Sequence, residues 1–197
     1  KSGAAKRLYA QVSELGLTVD VLINNAGLGA HGCFHESTLA RQMQMVQVNI
    51  AALTELTHLF VQDMVERGAG RILNVGSTAG FLPGPLQAVY YATKAYVNSF
   101  SQAIANELEN TGVTVTVLCP GPVATEFQEV ADLGGVKGFD FAADARSVAE
   151  CGYKAMTRGR LVAINDPKIR WLVEGVVPFL PRKSLLWMSR KTMEKSG

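Results

Sequence analysis

The feature that most constrains this chain is a regular alternation of helical stretches with short apolar, β-branched runs. The runs are Val19–Ile23, Arg71–Val75, Val113–Leu118 and Leu161–Ile164. Each follows a segment of helical periodicity: Ala4 to Leu15, a stretch capped by Thr38 that runs to about Arg67, Leu86 to Asn110, and one capped by Asp144 that ends near Thr157. Gly16, Gly68 and Gly112 stand where the first three helices should stop. Strands separated by helices imply right-handed crossovers, so the predicted fold is α/β, a doubly wound parallel sheet with helices on both faces. Runs without polar alternation are expected to be buried strands. Val123 to Ala143 carries three glycines and reads as irregular.

In open parallel sheets ligands bind beyond the carboxyl ends of the strands, and the segments predicted to lie there carry the chemically interesting residues. Asn24-Asn25-Ala26-Gly27 follows the first strand, Ser77 the second, and Pro120-Gly121-Pro122-Val123-Ala124-Thr125 the third. Each has a plain structural reading as a turn or cap. Tyr90 and Lys94 lie four residues apart on a helix and so share a face. An ammonium beside a phenol favours the phenolate, which would make Tyr90 a general acid/base for a carbonyl or alcohol oxygen. The spacing alone is weak evidence, because such pairs are common on helices. A hydroxyl at Ser77 could donate to the same oxygen. Asn49 sits inside the long helix, where asparagine is a weak helix former, and is expected either to bend it or to be solvated.

Composition excludes several classes. The 197 residues are 48% hydrophobic and 18% charged, as in an ordinary globular domain rather than a disordered chain. A formal net charge of +2 gives no basis for a nucleic-acid partner. Cys33, Cys119 and Cys151 form no disulfide or zinc spacing, which leads to the expectation of reduced thiols and a cytoplasmic protein. His31, Cys33 and His35 lack a fourth ligand, so no metal is expected and a substrate-pocket wall is the preferred reading.

Taken in order, Asn-Asn-Ala-Gly, the helix Asn49, strand then Gly76-Ser77-Thr78-Ala79-Gly80, Tyr90-x-x-x-Lys94 and Pro120-Gly121-Pro122-Val123-x-Thr125 resemble the short-chain dehydrogenase/reductase family. The resemblance runs from about Lys1 to Ile164. It implies a catalytic set of Asn49, Ser77, Tyr90 and Lys94, with hydride passing between a nicotinamide and the substrate carbon while Tyr90 handles the proton. Tyr91 is a rival by adjacency, but only Tyr90 gives the family's gap to Lys94. The resemblance also implies cofactor contacts from Asn24, Ala26, Gly27, Tyr90, Lys94, Pro120, Gly121, Val123 and Thr125. Asn49 would hold a water that relays protons to Lys94. The cofactor would be NADP or NAD, and the substrate a small carbonyl or alcohol compound. A homodimer or homotetramer built on the two long helices is expected.

The family begins with a strand, a glycine-rich turn for the pyrophosphate and a selector for the adenosine ribose, and none of these occurs in this sequence. The expectation is therefore a portion of a longer enzyme, short of two strand–helix units or about 60 residues. A non-catalytic scaffold that kept the fold is the alternative. The predicted organisation is a catalytic core over residues 1–164, incomplete at its N-terminal side, and an amphipathic tail over 165–197. The tail mixes Trp171, Phe179 and Trp187 with Lys168, Arg170, Arg182, Lys183, Arg190 and Lys191, and is broken by Pro178 and Pro181. A substrate lid or subunit contact is preferred for it over a membrane contact, and either suits a lipophilic substrate.

Overall fold

The computed structural model describes residues 3–139 and 142–195. The outermost positions of the expected core and tail (Lys1, Ser2, Ser196 and Gly197) lie outside the described residues, as do Asp140 and Phe141 of the expected irregular stretch. Helix α1 spans Ala4–Glu14 and strand β1 Val21–Asn24. Thr38 caps α2 (Leu39–Val46), accepting from the Arg41 amide; a π-helical segment, Gln47–Ala52, joins it to α3 (Leu53–Glu66). Then come β2 (Gly70–Val75), α4 (Ala88–Glu107) and β3 (Val113–Leu118). The short β4 (Val123–Ala124) and α5 (Phe127–Val130) precede β5 (Ala143–Asp144), α6 (Ala145–Thr157) and β6 (Val162–Ala163). The tail contains α7 (Pro167–Trp171) and α8 (Arg182–Met193).

The main sheet is parallel in the order β1-β2-β3-β6, with Asn24 opposite Asn74 and Val75 opposite Leu118. Side chains alternate across each strand, so its two faces meet different helices. Ile72, Val113 and Val115 pack with Met64 of α3, while Leu73 and Leu118 pack with Val148, Ala155 and Met156 of α6. Each such side chain, fully withdrawn from water, contributes roughly 1.5–3 kcal/mol.

The first strand is an apolar edge: Val21 and Ile23 are 39% and 52% exposed, because among the described residues β1 is hydrogen-bonded to β2 alone. Two expectations change. The stretch after Val123 is not wholly irregular, since β4 and β5 pair in parallel as a second small sheet. Helix α4 begins at Ala88 rather than Leu86, because Leu86 adopts φ 68° and its carbonyl accepts from the Gly32 amide at 2.8 Å.

At the amino end of β3 the turn is crowded. Gly112, just before β3, has φ +80°, and a Cβ there would lie 1.9 Å from the Gly68 carbonyl oxygen. Only glycine suits both the left-handed backbone and the closeness of that approach.

Candidate active site

The loops at the carboxyl ends of β1, β2 and β3 open on one cavity of about 1040 Å³. All of the residues expected to act on substrate or cofactor line it except Asn24 and Asn49. Tyr90 and Lys94 reach it from α4, Ser77 from the turn after β2, and Pro120, Gly121, Val123 and Thr125 from the segment after β3.

Tyr90, Lys94 and Asn98 recur every four residues and form a stripe along α4. The Lys94 ammonium lies 5.9 Å from the centre of the Tyr90 ring and donates to the Val75 carbonyl at 2.8 Å. That bond leaves two of its three protons free. Burial lowers the Lys94 pKa from 10.5 to about 8. The expectation that Lys94 draws the Tyr90 pKa down does not hold for the protein alone. Burial pushes Tyr90 up to about 12, and the counteracting influence is a hydrogen bond with the Ser77 hydroxyl. The physical reason is that the same burial that isolates the phenol also penalises the ammonium's charge.

Asn98 is the functional residue that motif reading missed. Its Nδ2 donates to the Ser77 carbonyl at 2.9 Å, and its Oδ1 accepts from the Ser77 amide at 3.4 Å. It thereby fixes the backbone that presents the serine hydroxyl. The available signal was its place in the four-residue stripe that starts at Tyr90. Tyr91 also lines the cavity but turns its ring against Gly84, and burial raises its pKa as well.

Asn24 and Asn49 sit behind the cavity wall. Asn24 Nδ2 donates to Thr57 at 3.0 Å and to Asn74 Oδ1 at 2.8 Å, and Asn74 in turn donates to Ser101. This buried chain ties β1 to α3, β2 and α4, so Asn24 holds the sheet while Asn25, Ala26 and Gly27 face the cavity. Asn49 is 1% exposed in the π-helical segment. Its amide bonds both backbone groups of Leu28, at 2.8 and 2.9 Å, and Thr93 at 3.0 Å. With both Nδ2 protons and one Oδ1 lone pair engaged, the Asn49 side chain positions the loop after β1. The π-helical turn is where the helix ladder is perturbed.

After β3, the Pro120 carbonyl accepts from the Thr78 amide at 2.9 Å, and the Gly121 amide donates to Asn165 at 3.3 Å. These bonds anchor the Pro-Gly turn on two sides. The tail supplies the apolar side of the cavity through Ile169, Leu172, Val173, Val177 and Met193. His31 is not on that wall as expected; its ring contacts the Met193 carbonyl at 2.8 Å. No group of three or more metal-ligating side chains occurs among the described residues.

The residues present fit the nicotinamide-ribose end of a dinucleotide. Lys94 keeps two protons for a ligand, and Gly27 lies beside it: a Cβ there would stand 3.6 Å from Lys94 Nζ and 3.8 Å from Asn49 Oδ1.

Several known proteins resemble this chain over part of their length. A ketoacyl reductase of Nostoc is 40% identical over 59% of this chain, and the match spans 41% of that protein's length. The mouse very-long-chain 3-oxoacyl-CoA reductase is 34% identical over 82% of the chain and 55% of its own length. An uncharacterised oxidoreductase of Staphylococcus epidermidis is 30% identical over 86% of the chain and 72% of its own length. Among solved structures, a short-chain dehydrogenase from Sphingobium yanoikuyae in complex with NADPH is 25% identical, with a TM-score of 0.76 over 92% of this chain and 73% of that one. The sequence model of the short chain dehydrogenase family matches residues 1–133, and with these relatives it makes the chain a member of that family.

Proposed function

We propose that this chain forms the proton-handling part of an NAD(P)-dependent oxidoreductase acting on a lipophilic carbonyl or alcohol substrate. The carrying observation is that Ser77, Tyr90 and Lys94 converge on one cavity whose opposite wall is built from apolar tail residues. A bound nicotinamide would supply or accept the hydride. Tyr90, protonated below about pH 12, donates its proton to the carbonyl oxygen during reduction and takes it back during oxidation. Ser77 donates to the same oxygen, held in place by Asn98. Lys94 has protons to spare for ribose hydroxyls and supplies positive charge as the phenol loses its proton.

Gly27 and the backbone of Ala26 would border the nicotinamide ribose. Val123 and Thr125, beside the fixed Pro120-Gly121 turn, would meet the carboxamide. The tail acts as a lid that keeps water from the reacting carbon. That relatives bear names of ketoacyl and 3-oxoacyl-CoA reductases supports an acyl-type ketone, and the NADPH complex of a structural relative supports a nicotinamide dinucleotide, NADP or NAD. The exposed sides of α2, α3 and α4 would carry a homo-oligomer contact.

Tyr90→Phe tests the assignment. Turnover of ketone substrates should fall by at least about 100-fold, the usual worth of a positioned acid/base, while NADPH or NADH still raises the melting temperature. Turnover retained in that variant would move the proton transfer to another group.

A further inference from the structure

The tail has two faces, and the lid function uses one of them. Ile169, Val173 and Val177 recur every four residues, as do Leu185, Ser189 and Met193 in α8, and these positions turn inward. Outward stand Trp171, Phe179 and Trp187, which are 70%, 83% and 67% exposed. Leu186 is exposed beside Trp187. Three large aromatic side chains left this exposed within one short tail mark it as a segment that meets an apolar partner.

The cations around them identify the partner. Lys168 lies three residues before Trp171 and Lys183 four before Trp187, so each tryptophan shares its helix face with a lysine. Arg170 is engaged by Glu174 at 2.9 Å and Arg190 by Glu194 at 3.7 Å. Lys168, Arg182 and Lys183 are exposed and make no ion pair among the described residues. Tryptophan and phenylalanine flanked by long basic side chains suit the boundary between acyl chains and anionic headgroups. A symmetric contact with a second copy would instead bring the same unpaired cations toward each other. No helix of the described residues is long and apolar enough to cross a membrane, so the contact is peripheral.

We propose that the outer face of the tail docks on an anionic lipid bilayer, with Trp171, Phe179 and Trp187 entering the interface and Lys168, Arg182 and Lys183 pairing with headgroups. The inner faces of the same segments line the cavity, so docking holds one wall of the site beside the lipid. This goes beyond the proposed reaction and stands on the tail's geometry, and it is read by lipid binding rather than by turnover.

Both tryptophans of this chain lie on that face, which makes their fluorescence a direct probe. Phosphatidylcholine vesicles containing phosphatidylglycerol should sediment the protein, shift its emission to the blue and, when brominated, quench it. Lys168→Gln, Arg182→Gln and Lys183→Gln should each weaken binding roughly fivefold, the effect of one basic residue near an anionic surface. Replacing Trp171, Phe179 and Trp187 together by serine should abolish sedimentation without lowering the melting temperature. If that variant melts early, the glutamine variants decide, and unchanged vesicle affinity in all three overturns the proposal. So does a folded triple-serine variant that still sediments, or a wild-type protein that the phosphatidylglycerol-containing vesicles neither sediment nor shift in emission. A blue shift that grows with protein concentration in the absence of lipid, together with a dimer mass, assigns the face to a second copy and overturns it as well.

Discussion

Replacing Lys94 by methionine should stabilise this protein while removing its activity. Lys94 is 5% exposed, and burial draws its pKa from 10.5 down to about 8. That gap, at about 1.4 kcal/mol per pH unit, amounts to about 3 kcal/mol of stability lost wherever the ammonium is charged in both folded and unfolded chains. The folded value lies below the unfolded one, so the cost is complete below about pH 8 and fades as the pH rises toward 10.5. Methionine has a similar length and carries no charge, so Lys94→Met removes the cost. It also removes the 2.8 Å hydrogen bond to the Val75 carbonyl, worth about 1 kcal/mol. The balance near pH 7 is about 2 kcal/mol in favour of the variant, which for a chain of this size is a rise of about 4–8 °C in melting temperature. Thermal melts of both proteins without dinucleotide, at about pH 7 and about pH 10, measure it, and the difference should shrink at the higher pH. A variant with a native circular-dichroism spectrum that melts at or below wild type near neutral pH would refute the reasoning. So would a difference independent of pH. A destabilising residue kept in this position fits the usual conflict between stability and a working site.

Two further outcomes follow from the same structure. For ketone reduction, kcat/KM reports groups of the free enzyme, so it should hold level to about pH 8 and fall above it as Lys94 loses its proton; a profile flat to about pH 9.5 would exclude Lys94 as the controlling group. Thr116 is 1% exposed in β3 and its hydroxyl has no hydrogen-bond partner among the described residues, so Thr116→Val should raise stability by about 1–2 kcal/mol; a lower melting temperature in that variant would show that the hydroxyl is satisfied.

The strands were legible where local preference and burial agree. The expected limits of Val113–Leu118 are those observed, because five β-branched residues in a row, Val113 to Val117, are followed within three residues by the Pro120-Gly121 stop. Thr38 and Asp144 could be recognised as caps from their side-chain chemistry, and both accept the expected backbone amide. Leu86 misled the reading of α4, since its left-handed conformation depends on a bond to Gly32 far away in sequence. The site divides in the same way. The motif residues around Tyr90 and Lys94 could be found by order and spacing. The direction of the Tyr90 shift could not, because it depends on how deeply α4 is covered. Nor could the divergent fates of Asn24 and Asn25, adjacent in sequence but facing opposite sides of the cavity wall.

The crowded turn at Gly112 has a consequence for how such a protein can change over generations. At this turn before β3 backbone meets backbone with no room for even a methyl group, and substitution of Gly112 is penalised whatever the reaction. At the carboxyl ends a roomy cavity is bordered by loops and by the tail. There the fixed points are Gly76, Gly80 and Gly84, where a Cβ would collide with Asn98, with the Lys94 backbone and with the Tyr91 ring. New ligands can be accommodated by exchanging the tail and loop side chains between these points, while the close approaches that hold Ser77 against the Tyr90–Lys94 helix are inherited unchanged.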